Sequence, residues 1–163
     1  MVRQVCVLAT LAACSSSTSS GPPADVSGSY TVTVTNRTNG CNFPSWNEGA
    51  ATPNIPFTIT QNGASVSGSV GGLSGAYTAI VLGTNTFSGT AAGTTVSMTA
   101  YGTRSTTMGQ CAYTINATVT GNLLGNELTG SIKYVPATNH SPDCGTLESC
   151  VSQQDFDGTR PPK

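Results

Sequence analysis

Charged side chains are scarce in this chain: six Lys or Arg and seven Asp or Glu among 163 residues, 8% in all, with a net charge of −1 at pH 7. That balance leaves no basic stripe for nucleic-acid phosphates and no acidic block, so nucleic acid is excluded and electrostatics selects no partner. Histidine occurs once, at His140, and no Gly-x-Ser-x-Gly sequence accompanies it. A serine–histidine–carboxylate hydrolase therefore lacks its usual frame. The carboxylates are thinly spread, and a two-carboxylate glycosidase would need a pair such as Glu48 and Glu127 to face one cleft at about 5–10 Å. Close Cys-x-x-Cys pairs are missing, which argues against a four-thiolate zinc site. Asp155-Phe156-Asp157-Gly158 lacks the third acidic position and the distal glutamate of a calcium loop and reads as a turn in the tail. The expectation is no catalytic residue, no metal and no cofactor.

What is present is alternation. Serine, threonine, glycine and asparagine dominate the polar positions, the palette of exposed strand faces and tight turns. Tyr30, Val32 and Val34 fall on one face against Thr31, Thr33 and Thr35. The same period of two returns at Phe57 and Ile59, at Val66 and Val70, at Val96 and Met98, at Ile115, Ala117 and Val119, and at Leu128, Ile132 and Tyr134. Such segments are strands, half buried and half wet. About eight are expected, near 29–35, 55–61, 64–70, 76–82, 86–91, 95–101, 111–120 and 127–135. The segment 76–82 is more continuously apolar than the rest. Asn62-Gly63 supplies a hairpin turn between two of these strands. Most links are short, so neighbours pair antiparallel as a meander, interrupted by longer loops at 36–54 and 102–110. No helix of ordinary length is legible, and the tail 136–163 reads as irregular. A glycine follows an apolar and a hydroxyl residue in Val66-Ser67-Gly68, Phe87-Ser88-Gly89 and Leu128-Thr129-Gly130, positions where a sheet bends or another backbone comes close. The fold expected is all-β: an up-and-down antiparallel meander closing into a small barrel, with a two-sheet sandwich as the alternative. In outline this resembles the small lipocalin-like barrels over residues 27–135, without the glycine–x–tryptophan start of true lipocalins.

The N-terminus carries Arg3, an apolar segment from Val5 to Ala13, and then Leu11-Ala12-Ala13-Cys14. The order of charge, apolar run and small residues is that of a secretion signal, far too short to span a bilayer, which needs about 20 apolar residues. Leu11–Cys14 resembles a bacterial lipobox. The resemblance implies cleavage before Cys14, a diacylglyceryl group on its thiol and an acylated amino terminus. Acyl chains in that number anchor a protein stably. Residues 1–13 are then a lipoprotein signal peptide, 14–26 the lipidated cysteine and a flexible tether, and 27–163 one barrel domain. The implied address is the cell envelope, in the outer membrane where the host has two.

With Cys6 in the leader and Cys14 lipidated, Cys41, Cys111, Cys144 and Cys150 remain. An even remainder in an exported domain reads as two disulfides, with three connectivities open. Cys144–Cys150 with Cys41–Cys111 is preferred, the second stapling a loop to a strand end.

The loop from Gly40 to Gly49 holds the chain's single tryptophan. Phe43, Trp46 and Asn47 in it, with Tyr101 and Arg104 on the opposing 102–110 side, are the candidate contacts for a small apolar or glycan ligand. The alternative is that Phe43 and Trp46 plug one end of the barrel. Eight strands stand at the border between a filled barrel and one that holds a small ligand. The reading as a whole is a monomeric, non-catalytic envelope lipoprotein, a structural or interaction module, with ligand binding second and a hydrolase third. Its partners are the membrane through the lipid and an envelope protein or small ligand.

Overall fold

A computed structural model describes residues 22–163; Cys14, the leader and most of the tether lie outside the described residues. Nine strands and one α-helix follow in order: β1 (Gly28–Asn39), β2 (Ala51–Asn62), β3 (Ser65–Val70), α1 (Gly72–Leu82), β4 (Thr86–Ala92), β5 (Thr95–Ala100), β6 (Thr106–Met108), β7 (Cys111–Leu124), β8 (Glu127–Thr138) and β9 (Ser152–Thr159). A short 3-10 segment, Pro142–Glu148, precedes β9. The sheet runs β5-β4-β3-β2-β1-β9-β8-β7, and β5 pairs with β7 to close it. Eight strands thus form an up-and-down antiparallel barrel, and β6 is a three-residue addition against the start of β7. Closure removes every edge of the eight, which a sandwich would have left to be protected.

Inside, the alternating residues interlock. Tyr30, Val32, Phe57, Ile59, Val66, Phe87, Val96, Met98, Val119, Leu128 and Phe156 are buried in one continuous core. Phe57 and Phe87 meet edge to face with centroids 6.2 Å apart. The repeated glycines make this packing possible. A Cβ on Gly89 would lie 1.9 Å from the Ser97 carbonyl oxygen, and one on Gly68 2.6 Å from the Phe57 ring. The closed ring of strands, a continuous core and both disulfides are formed within 22–163, so this stretch carries the pairing and packing of a self-contained barrel.

Three expectations are corrected. Residues 76–82 are not a strand but the larger part of α1. Their apolar run has no period of two, and the helix ends at Gly83, which has φ 82° and donates its N–H to the Ala79 carbonyl. The tail is not irregular: β9 supplies the eighth barrel strand, between β1 and β8. Asp155-Phe156-Asp157-Gly158 is therefore strand, not turn. The disulfides are Cys41–Cys150 and Cys111–Cys144. The pairing follows from β9. Ser152 lies opposite both Asn39 and Tyr134, so Cys150 arrives beside Cys41, just past β1. The 3-10 segment folds back over the start of β7, where Asp143 Oδ2 accepts from the Gln110 N–H at 2.7 Å, and this sets Cys144 on Cys111.

Candidate functional site

The barrel has two unlike ends. At one, the chain enters through Pro22–Ser27 and leaves through Arg160–Lys163, amid the hairpin turns at Gly63, Gly93 and Gly125. This end is closed. Val26 is fully buried, its carbonyl accepts from the Tyr30 hydroxyl at 2.8 Å, and Asp25 forms an ion pair with Lys163. That ammonium, with the hydroxyl and N–H of Ser27, holds the Asp25 carboxyl well below its usual range. The other end carries the 40–50 loop, α1, the 101–110 segment, the 3-10 segment and both disulfides.

At that loop end a polar row crosses three strands. Tyr134 on β8 donates its hydroxyl to Gln154 Oε1 on β9 at 2.7 Å. Gln154 Nε2 donates to Asn36 Oδ1 on β1 at 2.7 Å, and Asn36 Nδ2 donates to the Asn47 carbonyl at 3.1 Å. Burial drives the Tyr134 hydroxyl far above its ordinary value, so it stays a donor. Removing it in Tyr134→Phe orphans Gln154 Oε1, and chemical denaturation is expected to read a loss of about 1–2 kcal/mol. A loss near zero would mean that water replaces the phenol.

The 40–50 loop folds onto this row. Asn39 clamps Phe43 twice, accepting from its N–H at 2.8 Å and donating to its carbonyl at 2.9 Å. The same Asn39 oxygen accepts from Ser152 Oγ, which in turn accepts from the Cys41 N–H, so the buried Ser152 hydroxyl is satisfied. Phe43 and Trp46 each pack on Tyr134, with centroids 6.4 and 6.0 Å away and ring planes nearly perpendicular. Trp46 Nε1 donates to the Arg37 carbonyl at 2.7 Å. The indole thus has its one donor occupied and its ring half covered. The expected candidates divide accordingly. Phe43, Trp46 and the Asn47 backbone gather at Tyr134. Tyr101 and Arg104 are exposed and lie in the segment that caps α1, where the Thr103 and Arg104 N–H groups donate to the Leu82 carbonyl.

Below the row, Val32, Val34, Ile55, Phe57, Val70, Phe87, Val119, Ile132 and Phe156 line a cavity of about 50 Å³. All nine are apolar, so the void offers water no hydrogen-bond partner. Elsewhere, His140 Nδ1 lies 2.9 Å from Glu148 Oε2, and Thr138 Oγ1 donates to Glu148 Oε1 at 2.5 Å. These bonds, the threonine's first, lower the Glu148 carboxyl below its ordinary range. The His140 side chain is 85% exposed, and Glu148 is the one partner its ring finds among the described residues. Glu48 sits in the loop at one end and Glu127 begins β8 at the other, so the two do not share a cleft. No three His, Cys, Asp or Glu side chains gather as metal ligands among the described residues.

Gln154 and Asn36 were missed in sequence, because a glutamine in an apparent tail signals nothing until β9 is placed. The alternation of Ser152, Gln154, Phe156 and Gly158 inward was the available trace.

The fold and this end define the class: an all-β, disulfide-bonded, eight-stranded antiparallel up-and-down barrel, consistent in outline with lipocalin-like architecture. Among known proteins, no family model, no curated sequence and no solved structure matches the chain.

Proposed function

We propose that the protein is a lipid-anchored module of the bacterial cell envelope that acts by surface contact, without catalysis and without carrying a large ligand. The observation that carries this reading is the filled barrel. Its interior void of about 50 Å³ falls well short of the roughly 300 Å³ at which small-molecule pockets begin. Two disulfides agree with export to an oxidising compartment. The arrangement of ends agrees with an anchor: the described chain begins at the closed end, away from the 40–50 loop and its aromatic residues. The lipobox-like Leu11–Cys14 supplies the attachment, and the outer membrane is the address in a two-membrane host.

The test is metabolic labelling of cells producing the full chain with an alkyne fatty acid. Label is expected on the wild type and absent from Cys14→Ser, which should also leave the membrane fraction. An unlabelled wild type removes the anchor from this proposal.

A further inference from the structure

Helix α1 is turned the wrong way for a surface helix of a free domain. Its barrel-facing side is Ser74, Gly75, Thr78, Val81 and Leu82, with Gly75 so close that a Cβ would lie 2.2 Å from the Val70 carbonyl oxygen. Its outer side is apolar: Leu73 is 91% exposed, Tyr77 68% and Ile80 58%, with Ala76 between them. A cluster of large apolar side chains this exposed marks an interaction surface. Something must therefore cover the outer face of α1.

The surroundings select what that is. Residues 49–103, comprising β2, β3, α1, β4 and β5, contain no Asp, Glu, Lys or Arg. The outward positions of β3, β4 and β5 are almost all serine and threonine, those of β2 add Ala51, Pro53, Asn54, Pro56 and Asn62, and the charges carried by strands, Arg37, Glu127, Lys133, Asp155 and Asp157, lie on β1, β8 and β9. One wall of the barrel is thus neutral from end to end. The chain enters along that same wall: the Ala24 N–H donates to the Gly93 carbonyl, and Gln61 Nε2 donates to the carbonyls of Ala24 and Gly63. Cys14 precedes Pro22 by eight residues, a reach of at most about 28 Å. β3 runs from beside that point to the start of α1, a span of roughly 20 Å. An anchor on Cys14 therefore leaves α1 within reach of the same bilayer. The face of an 11-residue helix is also small, roughly half of the ~800 Å² per partner that a stable dimer buries. A surface that only supplements an anchor needs no more.

We infer that the outer face of α1 docks on the lipid bilayer, with Leu73 and Ile80 at the acyl boundary and Tyr77 at headgroup level. The inference extends the anchor reading, but its test does not depend on Cys14. Arg104, beside the C-terminal end of α1, is the one cation next to this face among the described residues, so docking depends little on anionic lipid and on salt.

The experiment is flotation of oxidised residues 22–163, which carry no acyl group, with excess phosphatidylcholine vesicles at low and high salt. The protein is expected to float to the same extent at both. Leu73→Asp with Ile80→Asp is expected to lower the floated fraction about tenfold, with an unchanged far-ultraviolet circular dichroism spectrum, while Lys133→Glu on the far wall leaves it unaltered. Folded wild type that stays at the bottom of the gradient would overturn the inference. So would flotation that needs anionic lipid, or a concentration-dependent dimer in vesicle-free solution that the double substitution abolishes, since a second copy would then be the cover. Failure here with Cys14 still lipidated would leave the anchor intact.

Discussion

Replacing Cys41 and Cys150 together by alanine is expected to destabilise the protein by about 4–5 kcal/mol. The bridge joins residues 109 apart in sequence, so its loss releases most of the unfolded chain from a closed loop. Cys111–Cys144, separated by 33, constrains less and should contribute about 3.7 kcal/mol. Loop length is half of the argument; the other half is what the bridge holds. β9 places only Phe156 as a large apolar side chain in the core, its other inward positions being Ser152, Gln154 and Gly158. It stays in the barrel through its ladders to β1 and β8 and through its tie at Cys150. In the double variant, the amides of β9 should be the first of the eight strands to exchange with deuterium. Disulfide mapping of the oxidised chain should return Cys41–Cys150 and Cys111–Cys144. A stability loss under 1 kcal/mol would mean that the two ladders suffice for β9.

Truncating Phe57 to alanine is expected to cost about 3–5 kcal/mol, and part of that should be recoverable by adding a ligand. The Phe57 ring packs edge to face on Phe87, fills the space left by Gly68 and forms one wall of the apolar cavity. Removing it adds about 100 Å³ to a void of about 50 Å³, which brings the cavity near the ~150 Å³ at which an apolar cavity stays dry and binds benzene. Thermal melts should therefore show a large drop for Phe57→Ala and a rise on adding benzene, with no rise for the wild type. A wild type that benzene stabilises equally would show that its barrel already opens to ligands, and would revive the carrier reading set aside above. Gly68→Ala tests the same packing in reverse, because its methyl group would collide with the intact Phe57 ring.

Much of the barrel was legible in the chain because each strand writes its own period. In β1, β2, β3, β5, β7 and β8 the inward residues are Val, Ile, Phe, Tyr, Met, Leu and Ala, and the outward ones mostly Thr and Ser, so the pattern shows without reference to any neighbour. Asn62-Gly63 likewise announced its turn, where Gly63 has φ 60°. Two elements hid. Residues 76–82 are apolar on both sides, so periodicity was silent and β propensity misled; α1 stands on its contacts with β3 and on the Gly83 cap. β9 hid for the opposite reason. Its inward serine and glutamine join a polar row made with Asn36, Asn39 and Tyr134, and its inward Gly158 yields to Val32, so its burial leaves little apolar trace.

The loop-end site was legible in kind but not in composition. Phe43 and Trp46 stood out as aromatics in a cysteine-pinned loop, and the structure sets both on Tyr134. Tyr134 itself read as one more strand residue, and Gln154 as tail. Tyr101 and Arg104, expected on the side opposing the loop, lie exposed in the segment bonded to the end of α1.

By itself, then, the sequence determined an all-β chain with a uniform hydroxyl surface, strands that cannot be left with open edges, and four cysteines to be paired. Those properties are local, set by period, turn chemistry and composition. Which cysteine meets which, which strand closes the barrel, whether the interior is hollow, and that α1 shows its apolar side outward were decided only by the tertiary structure. Each depends on residues far apart in sequence, as with Asn39 and Ser152, or Cys41 and Cys150, and on how much volume a closed ring of strands leaves between them.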